Sequence, residues 1–282
     1  MAGLTYRCAP PGWTEEAPNP FTADGSYGPG WSGFRVRAED DARGVNRQWP
    51  NGLFAFVVGR GWKRNLAADL ADFLRYEARQ GRQCIVSIPE VLGGTIYIDT
   101  ALAKTPPWSV LRADDPRWLV HATPAANWQA IRACGELRAL ARLRREGMTL
   151  PGIGFAQLGE PAEYADYIML ANAGAMAPEF VVASQNAGAI LTQPDTPYTP
   201  GARLFFDGHR MIADGLVVRD GLHGAKVSDH LPLEPYLLAA VTPADLDPEG
   251  TVTAWTPRTF CLGALAYFSG IVGEPVPYEH WE

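Results

Sequence analysis

The feature that most constrains the fold is a strand, helix, strand pattern in the first third of the chain. Leu53–Val58 is an apolar run of strand length, and Cys84–Ile88 is a second one. Between them, apolar side chains recur at helical spacing from Lys63 to Gln80, and Gly81 follows where a helix would end. Two strands joined by one helix predict a parallel pair covered by that helix, which is a βαβ unit.

Breaks in the pattern indicate where domains begin and end. The first 50 residues hold clusters of Pro and Gly interleaved with tryptophans, namely Pro10–Gly12, Pro18–Pro20, Gly28–Gly30, Trp13, Trp31 and Trp49. These clusters predict an irregular wrap over residues 1–50. Further breaks at Lys104–Pro107 and Asp114–Pro116 predict a boundary. We therefore expect an α+β protein, with a βαβ-containing domain over 51–112 and a second domain over 113–282.

The second domain is predicted to be rich in strands. A strand over Trp118–His121 ends at Thr123-Pro124, and a helix follows over Asn127–Gly135. Further runs of strand length or alternation are Glu179–Ser184, Ala202–Phe206, Gly215–Val218 and Leu237–Val241, and a helix is predicted over Leu262–Ile271. In the first domain, Gly93–Asp99 reads as a short strand after a glycine turn.

Composition excludes several classes of protein. The formal net charge of -7 argues against binding that depends on covering a phosphate backbone with basic side chains. The four cysteines form no CxxC pair, so we expect reduced and mostly buried thiols. The chain begins without a secretory pattern and has no apolar run of about 18 residues. We expect a soluble cytoplasmic protein with no membrane partner.

The segment beginning at His121 is the strongest candidate for chemistry. In the triplet His121-Ala122-Thr123, a histidine stands at the end of a predicted strand with a hydroxyl two residues further on. Positions i and i+2 of a strand point to the same side, so the imidazole and the hydroxyl can face one ligand. The pair could bind a ribose.

This unit resembles the opening of the RNA 2′-phosphotransferase family, whose members have a His-Gly-Thr triplet here, and more broadly the ADP-ribosyltransferase superfamily. The resemblance covers about residues 117–241. It extends to the strand Ala202–Asp207, the turn Gly215-Leu216 and the closing stretch Leu231–Tyr236. Ala122 replaces the family's glycine. Its methyl group limits how closely a ligand can approach the backbone at this position.

The resemblance implies a split β-sheet that grips NAD⁺ in a cleft. It implies that His121 contacts the ribose next to nicotinamide and that Thr123 supports it. In superfamily members that modify proteins or DNA, an aromatic side chain stacks on nicotinamide and a carboxylate holds the ribose hydroxyl. Tyr164 or Tyr167 could supply the aromatic group, and Glu179 could supply the carboxylate.

The arginines that hold the RNA 2′-phosphate in phosphotransferases have only two candidates here, Arg203 and Arg219. The acidic balance of the chain further disfavours tRNA as a partner. A superfamily member with a different acceptor therefore fits better than a true phosphotransferase.

A second concentration of polar residues lies between residues 207 and 230. It contains Asp207, His209, Asp214, Asp220, His223, Asp229 and His230. Imidazoles and carboxylates suit zinc, iron or manganese, but the spacing matches no metal motif and the Asp-Gly pairs are typical of turns. We assign Arg219 and Asp220 to cofactor contacts and His223 to catalysis, and we assign no metal ligand.

These observations predict an NAD-dependent transferase of the ADP-ribosyltransferase type, which cleaves the nicotinamide-ribose bond and transfers ADP-ribose to an acceptor that the sequence does not identify. Two alternatives stay open. One is a metal-dependent hydrolase that uses the cluster at 207–230, and the other is a non-catalytic binding module of the same fold. A serine or cysteine nucleophile is not supported, since the chain has no GxSxG and no cysteine in an activating context.

Overall fold

A computed structural model of the chain describes residues 5–41, 43–62, 65–148 and 161–279. The protein is a mixed α+β structure that divides into two compact units. The first unit comprises Met1–Asp114, Leu158–Ala162 and Val218–His223, and the second comprises Asp115–Gln157, Glu163–Val217 and Gly224–Glu282. In the described part of the chain, no helix is long and apolar enough to cross a membrane.

The first unit is built on a five-stranded sheet. Its strands are β1 (Tyr6–Cys8), β2 (Trp31–Val36), β3 (Gly44–Gln48), β4 (Phe54–Val58) and β5 (Gln83–Ser87), in the order β1-β5-β2-β4-β3. Every neighbouring pair is parallel except β3 and β4, which are antiparallel. Its helices are α1 (Leu66–Arg79) and α2 (Gly94–Lys104), and a 3-10 turn at Glu90–Leu92 precedes α2.

The predicted strand, helix, strand unit is present as β4, α1 and β5. The side chain of Asn65 accepts a hydrogen bond from the backbone N–H of Ala68 at the start of α1, and Gly81 adopts a left-handed φ of 73° just after its end. The two strands are parallel, but they are not neighbours, because β2 lies between them and pairs with both.

The prediction of an irregular wrap over residues 1–50 is wrong, because this segment supplies β2 to the centre of the sheet. Phe34 of β2 is fully buried and meets the rings of Phe56 and Phe73 edge-on, with centroids 5.4 and 5.5 Å away. The flanking Pro and Gly residues mark the turns around this strand rather than an absence of regular structure.

The short strand predicted over Gly93–Asp99 is helical and forms the start of α2. Ile98 and Ala101 are buried at a spacing of three residues, while Ile96 is 73% exposed. Burial therefore follows the helical period, although the local run of β-branched and aromatic residues resembles a strand.

The second unit contains a six-stranded sheet in the order β10-β11-β8-β6-β9-β13. Its strands are β6 (Trp118–Thr123), β7 (Glu136–Arg138), β8 (Tyr167–Asn172), β9 (Ala202–Asp207), β10 (Val217–Val218), β11 (Ala225–Ser228), β12 (His230–Pro232) and β13 (Leu237–Val241). The short strands β7 and β12 pair with each other in a separate ribbon. The strand predictions for Ala202–Phe206 and Leu237–Val241 are confirmed.

Helices cover both faces of this sheet. They are α3 (Ala125–Cys134), α4 (Leu140–Arg145), α5 (Ala177–Ala187), α6 (Gly208–Ala213), α7 (Pro243–Leu246) and α8 (Pro257–Val272), and a 3-10 turn at Ala162–Asp166 precedes β8. On one face, here called the α3 face, Leu119 and Leu204 pack with Trp128 of α3. On the other, the α8 face, Phe205 stacks on Phe268 of α8 with centroids 4.1 Å apart.

The predicted strand over Glu179–Ser184 is wrong, because these residues lie in α5. Pro178 occupies the first turn, where its missing N–H costs no helical hydrogen bond. Phe180, Ala183 and Ser184 are buried at spacings of three and four residues. By contrast, the helix predicted over Asn127–Gly135 is confirmed as α3, with Gly135 in the left-handed conformation at its end.

Candidate functional site

His121 lies on β6 at the place where the sheet of the second unit begins to part. On one side β6 pairs with β9 along its whole length, from Trp118 to Thr123. On the other side it pairs with β8 at only two positions, Leu119 with Asn172 and Val120 with Ala171. His121 is the first residue of β6 beyond that short ladder.

The ring of His121 spans the point where the two strands separate. Its Nδ1 lies 3.1 Å from the backbone carbonyl oxygen of Met169 on β8. A carbonyl oxygen can only accept a hydrogen bond, so Nδ1 carries the proton and Nε2 keeps its lone pair as an acceptor. Burial lowers the pKa of His121, and the bond to Met169 offsets this only in part. The imidazole is therefore neutral at neutral pH.

Thr123 shares a side of β6 with His121, as the two-residue spacing predicts. Leu119 belongs to the core of the α3 face, so alternation along the strand places His121 and Thr123 on that face as well. Thr123 is buried, whereas His121 is half-buried.

Helix α3 begins directly after this strand. Its N-cap residue is Pro124, and no side chain caps the first turn. Ala125, Ala126 and Asn127 at the start of the helix are exposed. Backbone N–H groups at such a helix start carry partial positive charge and can hydrogen-bond an anion.

Tyr164 and Tyr167, the two aromatic candidates, gather around a residue that sequence reasoning missed. Lys226 on β11 is fully buried, and its Nζ lies 3.7 Å from the ring centroid of Tyr164 and 5.1 Å from that of Tyr167. A cation over aromatic faces is stabilised by their quadrupoles. The local sequence Ala225-Lys226-Val227 gives no sign of this, because a lone lysine in a strand normally points to solvent.

Strand alternation places these groups on the face opposite to His121. Lys226 pairs with Met169, while the neighbouring pair Ala225 and Leu170 belongs to the core of the α3 face. Lys226, Met169 and Tyr167 therefore face the α8 side. The structure thus does not bring Tyr167 and His121 to one face of the sheet.

Glu179 forms a buried polar cluster with Arg203 and Tyr198. Its Oε1 accepts a hydrogen bond of 2.8 Å from Arg203 Nη1, and its Oε2 accepts one of 2.6 Å from the Tyr198 hydroxyl. Arg203 is fully buried and also donates to the carbonyl oxygens of Ala173 and Ala175, at 2.8 and 2.7 Å. Burial, reinforced by the carboxylate, raises the pKa of Tyr198 strongly.

This cluster lies on the α8 face, since Arg203 stands opposite Ala122 in the ladder between β6 and β9. The predicted role of Glu179, a carboxylate at the start of a strand that holds a ribose hydroxyl, does not match its place in the structure. Its side chain is 1% exposed, and both oxygens already accept hydrogen bonds. The geometry is that of an ion pair that joins α5 to the sheet.

Arg219, Asp220 and His223 belong to the first unit, whereas the other predicted site residues belong to the second. Asp220 is fully buried, and its Oδ1 accepts hydrogen bonds from the backbone N–H groups of Leu222 and His223, each at 2.9 Å. Its Oδ2 lies 2.8 Å from His223 Nδ1. Arg219 donates to the carbonyl oxygen of Trp108 at 2.8 Å. The aspartate therefore orders a tight turn and orients one imidazole.

The histidines of the 207–230 stretch do not converge on one another. Nε2 of His209 lies 3.3 Å from the carbonyl oxygen of Asp115, and Nδ1 of His230 lies 3.2 Å from its neighbour Asp229. Asp207 caps α6 by accepting from Arg210. Among the residues that the structure describes, no group of three or more His, Cys, Asp and Glu side chains is arranged to hold a metal ion.

No known family model, curated protein or solved structure matches this chain. Any function assigned to it therefore depends on its own residues.

Proposed function

We propose that the second unit binds NAD⁺ beside His121, cleaves the nicotinamide-ribose bond and transfers ADP-ribose to an acceptor. The observation that carries this proposal is the neutral imidazole at the place where β6 and β8 part. A sheet that opens at a histidine is what the resemblance to the ADP-ribosyltransferase superfamily implies for the contact with the ribose.

The chemistry of the available groups fits the ribose and diphosphate parts of a dinucleotide. Nε2 of His121 can accept a hydrogen bond from a ribose hydroxyl, and the Thr123 hydroxyl lies on the same face. The uncapped first turn of α3 offers backbone N–H donors to a diphosphate. Glu179 does not fit the role predicted for it, so no step is assigned to its carboxylate.

NAD⁺ supplies, when bound, an electrophilic ribose carbon and nicotinamide as a leaving group. The contribution of His121 is orientation, because its tautomer is fixed by Met169 and its ring cannot rotate without losing that bond. Holding a sugar in one reactive orientation lowers the entropic part of the barrier.

The decisive experiment compares three proteins, namely wild type, His121→Ala and His230→Ala, by calorimetric titration with NAD⁺ and by nicotinamide release. His230 is the matched control, because it is an exposed histidine of the same unit. We expect NAD⁺ to bind wild type and the control equally, and His121→Ala to bind about tenfold more weakly, the worth of one hydrogen bond. Equal binding by all three proteins, or no binding at millimolar NAD⁺, would refute the proposal.

A non-catalytic binding module is the second candidate, and one observation favours it. The carboxylate expected to take part in cleavage, Glu179, is already paired with Arg203 and Tyr198. A binding module predicts that NAD⁺ binds in a manner that depends on His121 while no nicotinamide is released. The same experiment therefore separates the two candidates.

A further inference from the structure

The outward surface of α8 is apolar and carries no charge. From Thr259 to Gly273 the sequence contains no Asp, Glu, Lys or Arg. Three large side chains of this helix are markedly exposed: Leu262 and Tyr267 at 42% and Ile271 at 52%. A contiguous exposed apolar surface on a folded unit is typical of a site that another molecule covers.

Ala266 and Gly270 of α8 form the floor of a groove on this surface. Leu262, Ala266 and Gly270 follow one another at spacings of four residues, so they lie along one ridge of the helix. The chain after α8 folds back beside them, and Val276 donates its backbone N–H to the Ser269 hydroxyl at 3.0 Å. Together these residues line a groove of about 650 Å³.

Gly270 is the residue of this ridge that has no side chain. A Cβ built at Gly270 would meet no heavy atom within 4 Å. The hollow at Gly270 is therefore open space on the helix surface. Leu262 projects from the same surface. It lies four residues before Ala266, and Gly270 lies four residues after it.

The ridge is complementary to itself when it is reversed. If two α8 helices cross antiparallel at Ala266, residues equidistant from Ala266 oppose each other. Leu262 of one helix then lies over Gly270 of the other, so a large side chain meets a hollow. Arg258 in the first turn of one helix likewise comes near Glu274, which lies just past the end of the other, so the two ends carry opposite charges.

We propose that this face binds a second copy of the same chain, with the two-fold axis at Ala266 of α8. Arg258 and Glu274, the charged residues at the two ends of α8, already form exposed ion pairs within the chain. Arg258 pairs with Asp195, and Glu274 pairs with Arg117. Exposed ion pairs contribute little to stability, so each of these charges can also interact with an opposite charge on a facing helix. Small residues at the crossing allow close contact of two helix backbones, as in packing along rows of residues four apart.

The occupant is a second copy rather than a lipid surface because charges of opposite sign flank the two ends of α8. Arg258 and Glu274 flank the apolar stretch with opposite signs, which suits a reversed copy of the same helix. A membrane-binding face is instead expected to have a basic polar border. The best match for this surface is therefore the same helix of a second copy, running in the opposite direction.

The test is sedimentation velocity of the full chain over a wide dilution series, with wild type, Gly270→Leu, and the double variant Gly270→Leu with Leu262→Ala. A Cβ at Gly270 meets no heavy atom within 4 Å, and Gly270→Leu replaces a glycine within a helix, so its melting temperature should not fall. We expect a dimer in wild type and at least about tenfold weaker association in Gly270→Leu. The double variant exchanges the large and small positions and should recover the dimer.

Two controls make the result specific. Val181→Asp introduces a charge at an equally exposed apolar position of α5, and it should leave association unchanged, whereas Leu262→Asp should abolish it. The charge reversal R258E should weaken association, and the combination of R258E with E274R should restore it. A wild-type monomer at all concentrations, association that the Gly270→Leu variant retains, or binding of α8 to lipid vesicles in place of self-association would overturn the proposal.

Discussion

The Nδ1 atom of His121 lies 3.1 Å from the carbonyl oxygen of Met169, across the line where β6 and β8 part. This single contact fixes the tautomer of the imidazole, and burial lowers its pKa. A neutral imidazole can accept a hydrogen bond from a sugar hydroxyl, whereas a protonated one cannot. The protonation state of His121 therefore decides whether Nε2 can accept a hydrogen bond, and it links His121 to the pH dependence of stability.

We predict that His121 makes the protein less stable as the pH falls below neutral. Because its pKa is lower in the folded state, the unfolded chain binds more protons below about pH 6.5, so the free energy of unfolding rises with pH toward that value. This contribution is lost as the pH falls from about 6.5 to the lowered pKa. Urea denaturation at a series of pH values measures it.

The comparison uses the variant His121→Gln, which should lose less stability than wild type between pH 7 and pH 5. If the pH profiles of wild type and His121→Gln run parallel, His121 does not have a lowered pKa.

The buried ion pair between Arg203 and Glu179 is predicted to stabilise the second unit only as a pair. Arg203→Met leaves the Glu179 carboxylate buried without its cation, which should cost about 3 to 5 kcal/mol of unfolding free energy. Adding Glu179→Leu removes the stranded charge and should recover more than half of that loss. Urea denaturation of the single and double variants measures both values. Strictly additive losses would show that the two side chains are not coupled.

The sequence predicts those elements whose signals are local. The α1 helix follows from apolar spacing and the glycine after its end, and β9 follows from its continuous apolar run. His121 and Thr123 share a face because a strand repeats every two residues. The βαβ pattern likewise gave two parallel strands, although the insertion of β2 between them depends on long-range pairing.

The elements that were mispredicted depend on tertiary contacts. β2 is short and flanked by turn residues, so only its position at the centre of the sheet distinguishes it from a loop. The helices α2 and α5 contain runs of β-branched and aromatic residues that locally favour strands, and packing of one helical face overrides that preference.

The polar pairs of the site were hidden for a similar reason. Glu179 and Arg203 are separated by 24 residues and meet only because α5 packs on the sheet that contains β9. Lys226 lies in an apolar strand, and its aromatic neighbours come from a different part of the chain. No spacing rule connects such residues, and a sequence can indicate their chemistry without indicating which of them meet.

We predict that two of the four thiols react in the folded protein. Cys8 and Cys134 are exposed, whereas Cys84 and Cys261 are buried, which corrects the expectation that the thiols are mostly buried. Burial, with a contribution from the Asp99 carboxylate, raises the pKa of Cys8, so its thiolate fraction at neutral pH is small and its reaction should be slow. Titration with a chromogenic disulfide should give two equivalents before denaturation and four after it.

The variants Cys8→Ser and Cys134→Ser assign the two reactions. Each should remove one equivalent from the folded protein, and the slower phase should disappear with Cys8→Ser. Reaction of Cys84 or Cys261 in the folded protein would mean that their burial is transient.

The last prediction concerns Gly221, which seats the Asp220 and His223 turn against α1. Gly221 has a φ of 75°, and a Cβ at this position would lie 2.1 Å from the carbonyl oxygen of Asp69. Gly215 has the same φ of 75° but no heavy atom within 4 Å of its Cβ position, so it is a matched control. Gly215→Ala should cost about 1 kcal/mol, the price of a left-handed alanine. Gly221→Ala adds a backbone clash and should cost about 3 kcal/mol or more.

The measurement is hydrogen exchange at the amides of α1, together with urea denaturation of both variants. Gly221→Ala should accelerate exchange in α1, because the carbonyl oxygen of Asp69 belongs to that helix and has to move away from the new methyl group. Gly215→Ala should leave exchange in α1 unchanged, since residue 215 belongs to the second unit. Equal losses of stability in the two variants would mean that the turn does not pack against α1 in solution, and that only the left-handed backbone constrains Gly221.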